Sequence, residues 1–237
     1  MKKKTPEFLL DVKNPFEGEK ILKEYANGKI IIGVDEVGRG PLAGPVVACA
    51  VVLKESCVCD SLNDSKKIPR KKREAIFEQV KESCACYAIA SASVEEIDAL
   101  NILEANFLAM RRALSAIGIL NLEHTLPELP IESSGFLKTT DEFLIAVDGN
   151  LLIRKVQEEY QIPVVKGDAK IASISAASIL AKVYRDRLMD KLGESFPMYD
   201  FSNNAGYGTK KHLEALQKYG LSPVHRKTFR PKSLNLE

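Results

Sequence analysis

The sequence predicts an α/β protein, a mixed β-sheet flanked by helices with a helical C-terminal part. Three observations predict it. Short apolar, β-branched runs come close together early in the chain and later alternate with long stretches at helical spacing. Several of the runs end in a carboxylate, and open α/β sheets keep their ligand sites at strand ends. With 237 residues, 45% of them hydrophobic, the chain can bury one large core.

The elements follow in order. "KIIIGVDEV" (29–37) and "PVVACAVVL" (45–53) read as neighbouring buried strands joined by a loop rich in glycine and proline. "PRKKREAIFEQVKES" (69–83) opens with proline at a helix entry and carries Ile76, Phe77 and Val80 at helical spacing. "CYAIASAS" (86–93) reads as a third strand, and "LNILEANFLAMRRALSAIG" (100–118) as one helix closed by Gly118. Residues 119–142, with two prolines and a Ser/Thr-rich end, read as a loop-like insertion holding at most one short element. "FLIAVDGN" (143–150) is a strand ending in Asp148, and "IPVVKGDAK" (162–170) a short strand running into Asp168. A long helix follows over 169–192, whose Ala172, Ser175, Ala176 and Ala181 permit close packing on a sheet. Thr209 opens a last helix that Gly220 ends. Residues 1–27 are set apart as an N-terminal extension, 28–232 as the main domain, and 193–232 as its helical C-terminal part.

The net charge is only +2, but it is unevenly placed. "SKKIPRKKR" (65–73) holds six basic residues and no acidic one, and residues 210–232 hold seven basic and one acidic. Two basic runs beside a remainder of opposite sign fit a polyanionic partner, because Lys and Arg release counterions on binding phosphates. No apolar stretch is long enough for a membrane span, and the N-terminus lacks the apolar core of a secretory signal, so a cytoplasmic protein with no membrane contact is expected. The five cysteines, Cys49, Cys57, Cys59, Cys84 and Cys86, lack the spacing of a zinc site and read as core or surface thiols.

The acids that follow apolar strands are Asp35, Glu36, Asp148 and Asp168. If the strands pair, these can converge, and such a group repels itself unless cations neutralise it. Oxygen ligands without His or Cys favour Mg²⁺ or Mn²⁺. Two such ions can activate a water and stabilise the leaving oxygen of a phosphodiester. Adjacent strand residues point to opposite faces, so Asp35 and Glu36 share a site only if the strand ends or bends there, and Gly38 and Gly40 just beyond allow a bend. A solvated Glu36 with Asp35 capping a turn fits the pair equally well. Tyr207, between two glycines, reads either as a turn residue or as an exposed contact.

"GVDEVGRGPLAGPVV", "LNDSKKI", "ALNILEANFLAMRRAL", "VDGN", "VVKGDAKIASISAASILAKVYRDRLM", "GYGTKKHLEAL" and "HRKTFRP" together resemble bacterial ribonuclease HII, in the family's order and over nearly the whole chain. The resemblance implies a ribonuclease H-like fold and a divalent-metal endonuclease acting on RNA–DNA hybrids and on duplex DNA with embedded ribonucleotides. It implies that Asp35, Glu36, Asp148 and Asp168 are the catalytic, metal-binding quartet for two Mg²⁺ or Mn²⁺ ions. It implies that Gly38, Arg39 and Gly40 sense the ribose 2′-OH, that Tyr207 stacks on the neighbouring sugar, and that Ser65, Lys66, Lys67, Lys170, Thr209 and Lys210 contact substrate. Asp186 reads as an ion-pairing helix residue, and His212 and His225 as phosphate contacts or packing residues. The expected working form is a monomer. A ribonuclease HIII-like nuclease is the nearest rival, and it carries an extra N-terminal domain for which the 34 residues before Asp35 leave no room. A non-catalytic nucleic-acid-binding module would lack an acid. A phosphate-loop hydrolase would need a lysine-serine/threonine signature absent here.

Overall fold

The computed structural model describes residues 4–57, 62, 70–120, 132–138 and 142–229. Six strands form one mixed sheet: β1 (Ile30–Val37), β2 (Val46–Leu53), β3 (Cys84–Ala92), β4 (Glu132–Ser134), β5 (Phe143–Asp148) and β6 (Gln161–Val164), in the order β4-β3-β2-β1-β5-β6. β1 to β4 pair antiparallel in chain order, while β5 lies parallel to β1 and β6 parallel to β5. Pro163 fits because β6 is an edge strand, where a missing N–H costs no ladder bond.

Both faces are covered, so the central strands are continuously apolar rather than alternating. Every residue of β2 is buried. Val46, Ala48, Ala50 and Val52 pack with helix α4 (Ile102–Ala116), and Val47, Cys49 and Val51 with helix α5 (Ala172–Ser195) on the other face. α5 crosses the sheet so closely that a Cβ on Gly33 would stand 2.2 Å from the Ser173 carbonyl carbon. Helix α2 (Arg70–Ser83) joins the α5 side through Phe77 and Val80.

The elements differ from expectation in three places. The helix read over 100–118 is α4, starting at Ile102, and a separate short helix absent from the sequence reading, α3 (Val94–Leu100), precedes it with the break at Asn101. Asn101 takes φ +74° and its side chain accepts from the Leu103 and Glu104 amides, so a local cap overrides helical periodicity. Ser93 leaves the third strand to form a capping box with Glu96 at the start of α3. Asp168 is not at a strand end. β6 stops at Val164, Lys166 adopts a left-handed conformation, and Asp168 sits in the single 3₁₀ turn Gly167–Ala169. The inserted region contributes the short edge strand β4, and residues 121–131 and 139–141 lie outside the described residues.

The residues set apart as an extension contain helix α1 (Pro15–Tyr25), capped by Asn14. Leu9 and Leu22 pack with Ile31, Leu144, Ala146 and Ile174. Glu19 of α1 reaches Ser173, accepting from its amide at 3.1 Å and its hydroxyl at 2.8 Å, and so caps α5, whose own N-cap residue offers no side-chain acceptor. The C-terminal part adds α6 (Phe201–Asn204) and α7 (Lys210–Tyr219) around Tyr199, Phe201, Leu216, Ala43 and Met189. Thr209 caps α7 and Gly220 ends it, as the sequence predicts. No helix among the described residues is long and apolar enough to cross a membrane.

Candidate active site

β1 and β5 run parallel with Val34 beside Val147, so Asp35 and Asp148 leave adjacent strand ends. Asp35 is buried, accepts from the Glu36 amide at 2.7 Å and bonds Ser178 of α5. Burial first, then the Asp148 and Glu36 charges, hold its carboxyl well above the usual range. Glu36 is on the other face, bonded to Asn106 of α4 and to Arg39, whose Nη1 donates to Oε1 at 3.2 Å. Burial raises Glu36 too; Arg39 offsets part of this and Asp148 adds to it. The expected bend between the two acids is not there. β1 continues to Val37, and Asp35 and Glu36 do point to opposite faces. Asp148 couples them, lying within electrostatic reach of both.

Asp148 Oδ1 accepts from the Gly167 amide at 2.6 Å, which ties β5 to the turn that carries the buried Asp168. A recess of about 100 Å³ opens at this end of the sheet, lined by Glu36, Arg39, Asn106, Asp148, Gly149 and Asn150 among others. Among the described residues no three His, Cys, Asp or Glu side chains close round a single point. The donor chemistry nevertheless fits a hard cation: carboxylates raised by burial and by one another's charge, together with a buried amide oxygen, Asn106 Oδ1, that has no partner among the described residues.

The loop after β1 is held from beneath by two buried arginines. Arg226 donates to the carbonyls of Gly38 (2.5 Å), Arg39 (3.0 Å) and Gly44 (2.9 Å). Arg185 donates to Ala43, Pro45 and Ala205. Burial lowers Arg185 to about 10, and burial with the neighbouring Arg185 charge lowers Arg226 to about 9. Both still carry full charge near neutral pH. Gly38 takes φ +94°, and a Cβ there would stand 2.3 Å from Arg185 Nε, so only glycine fits.

Tyr207 is half exposed, and a Cβ on Gly40 would lie 3.5 Å from its ring. Two motifs 167 residues apart thus meet beside the acids. The Tyr207 backbone is fixed by a histidine chain. The Ser222 amide donates to His225 Nδ1 at 2.9 Å, the two Nε2 atoms stand 2.9 Å apart, and His212 Nδ1 lies 2.9 Å from the Tyr207 carbonyl. That carbonyl needs a donor, so the protons are assigned Nδ1 on His212 and Nε2 on His225, both rings neutral. Burial lowers both, His225 to about 4. The histidines pack, one of the two roles read from the sequence.

Other expected contacts divide. Thr209 caps α7, and Lys210 and Lys211 stand in water, facing Glu214 at 3.9 Å and Asp200 at 3.8 Å. Lys170, expected to contact substrate, donates from its ammonium to the Leu9 and Leu10 carbonyls at 2.8 and 2.9 Å and ties down the N-terminal segment. Ser65, Lys66 and Lys67 lie outside the described residues. Asp186 pairs with Lys182, in line with the ion-pairing reading. Cys49, Cys84 and Cys86 are buried thiols outside any disulfide. The sequence reading missed Arg226, Arg185 and Asn106. "HRKTFRP" did mark Arg226, but an arginine in a basic run reads as surface.

A model of the ribonuclease HII family matches residues 32–232. The chain is 49% identical over 216 residues to ribonuclease HII of Fusobacterium nucleatum, covering 90% of each. It is 46% identical over 205 residues to that of Macrococcus caseolyticus, covering 86% of this chain and 68% of the relative. Its fold superposes on the crystal structure of the ribonuclease H2 from Pyrococcus horikoshii with a TM-score of 0.59 and 25% identity, covering 84% and 93%.

Proposed function

The chain belongs to the ribonuclease HII family, a family of metal-dependent ribonucleases acting on RNA–DNA hybrids, and from that premise we propose that it also cuts duplex DNA 5′ to a single embedded ribonucleotide, leaving 3′-hydroxyl and 5′-phosphate ends. One observation carries this reading: the glycine loop that follows Asp35 and Glu36 meets the ring of Tyr207 at Gly40. A 2′-OH is what separates RNA from DNA at a given position. A glycine backbone lets a sugar approach, and a half-exposed ring beside it offers the next sugar a flat face.

Asp35, Glu36, Asp148 and Asp168 would hold two Mg²⁺ or Mn²⁺ ions. When bound, the ions supply an activated water and charge stabilisation at the leaving oxygen. Arg226 and Arg185 hold the loop carbonyls inward, so the loop keeps one shape as a substrate is inspected. Arg39 neutralises Glu36 in the absence of an ion and is half exposed to a backbone phosphate. Lys210 and Lys211, with Ser65, Lys66 and Lys67, fix the duplex by its phosphates, and Thr209 sets the start of the helix carrying the first two.

The test is a duplex carrying one ribonucleotide, incubated with Mg²⁺, with both product ends mapped. Asp148→Asn should remove at least 100-fold of the rate, as loss of an ion-holding carboxylate does, while far-UV circular dichroism stays unchanged. A 2′,3′-cyclic phosphate end would show attack by the 2′-OH and overturn the hydrolytic mechanism. Wild-type rates in Asp148→Asn would remove it from the site.

A further inference from the structure

α4 is apolar where it meets the sheet, and its buried polar side chains have jobs with one exception. Arg111 donates to the Arg154 carbonyl at 3.0 Å, and Arg112 to the Ser91 carbonyl at 2.8 Å and to Glu96. Asn106, 2% exposed, shares its amide with Glu36. Glu36 is a carboxylate and only accepts, so the nitrogen of Asn106 must face it, and the oxygen is turned the other way. That oxygen, Oδ1, is the one buried side-chain N or O without a hydrogen-bond partner among the described residues. Asn106 lines the recess together with Glu36 and Asp148. A buried acceptor without a partner costs stability and persists where a ligand completes it.

We propose that Asn106 is a further oxygen donor of this site, its Oδ1 completing the coordination of a hard divalent cation held by Glu36 and Asp148, directly or through one water. The inference rests on the two-ion reading above. Three facts select a cation over other occupants. The group at the wall is an acceptor, so the occupant must present positive charge or a proton. Its neighbours in the recess are the carboxylates of Glu36 and Asp148, whose charges a cation relieves and an anion worsens. The recess is small, with room for an ion and a few waters rather than a base or sugar. The amide works in both directions: its nitrogen holds the Glu36 carboxylate in place, and its oxygen adds a neutral ligand without a further negative charge beside the acids.

The experiment is a Mn²⁺ titration of the full chain without substrate, following the electron paramagnetic resonance signal of free Mn²⁺, on wild type, Asp148→Asn, Asn106→Leu and Asn106→Asp. Asn106→Leu removes both the donor and the acceptor; Asn106→Asp keeps an oxygen but loses the N–H that holds Glu36. The expected result is Mn²⁺ affinity lowered at least tenfold in Asn106→Leu, the scale on which supporting groups tune metal sites, and at or above wild type in Asn106→Asp. Equal weakening in both variants would mean that Asn106 only positions Glu36, and would overturn the proposal. So would an unchanged affinity in Asn106→Leu, including the case in which KM for the hybrid rises instead, which would give the oxygen to the substrate. Should Asn106→Leu fail to fold, Asn106→Asp decides alone: weaker Mn²⁺ binding than wild type overturns the proposal. Wild type that binds no Mn²⁺ sensitive to Asp148→Asn would bring down the underlying metal-site reading, an outcome distinct from the failures above.

Discussion

Tyr207 stands where discrimination of a single ribonucleotide would be decided. Its ring has Gly40 on one side and water on the other, and its carbonyl is pinned by His212. A junction between RNA and DNA can be cut in only one register, whereas a long hybrid offers many. Tyr207→Ala should therefore slow cutting at an embedded ribonucleotide by about tenfold, the scale of an aromatic stacking contact, and slow cutting within a long hybrid much less. Paired single-turnover assays on the two substrates check this, and equal losses would make Tyr207 a general binding residue. Glu36 shows a different limit of reading single residues. Its place beside Asp35 suggested a shared pocket, but strand geometry sends the two to opposite faces, and Asp148 links them.

Helix α1 illustrates how an element outside the recognisable motifs still serves the site. It buries Leu22 against Ile31 and Leu144, and its Glu19 caps α5, the helix that brings Ser178 to Asp35 and Arg185 to the loop. Gly18 lies so close to the Lys170 carbonyl that a Cβ would stand 1.9 Å from the oxygen. Leu22→Ala should cost about 2–5 kcal/mol, the usual result of truncating a fully buried leucine, measured by urea denaturation. A loss under about 0.5 kcal/mol, in the range of surface substitutions, would show that α1 is not packed on the sheet in solution. The break at Asn101 has a similar consequence: α3 and α4 are separate helices, and the cap fixes where α4 begins and so where Asn106 falls.

Across the molecule, acids gather at the end of β1 and β5, while exposed lysines stand on α7 in the C-terminal part. Lys210 and Lys211 have distant acidic neighbours and side chains largely in water. Pairs of that kind contribute little to stability. Replacing both with Ala should leave folding stability unchanged and weaken hybrid binding alike for different base sequences. The slope of log affinity against log salt should shallow by about 1 to 2, since each phosphate contact contributes about 0.9 or less. Fluorescence anisotropy titrations at several salt concentrations measure this, and an unchanged slope would make these lysines plain solvated surface.

The sequence by itself determined most of the strands, the long helices and the caps at Thr209 and Gly220, and it marked four acids that follow apolar runs. Those depend on local patterns: apolar periodicity, turn residues and motifs contiguous in the chain. Asp168 was found as an acid, though its turn was misread as a strand end, because Lys166 in a left-handed conformation gives no periodic signal. Only the tertiary structure decided the rest. Gly40 and Tyr207 meet because the C-terminal helices fold back over the loop, a contact between residues far apart in sequence. Arg226 and Arg185 read as surface cations, and become the loop's scaffold because six carbonyls surround them where water cannot. Lys170 reads from the sequence as a substrate contact, and only the fold shows its ammonium tied to the Leu9 and Leu10 carbonyls. The physical reason is the same in each case. A polar side chain's role is set by which partners surround it after burial, and burial is a property of the packed fold rather than of the local sequence.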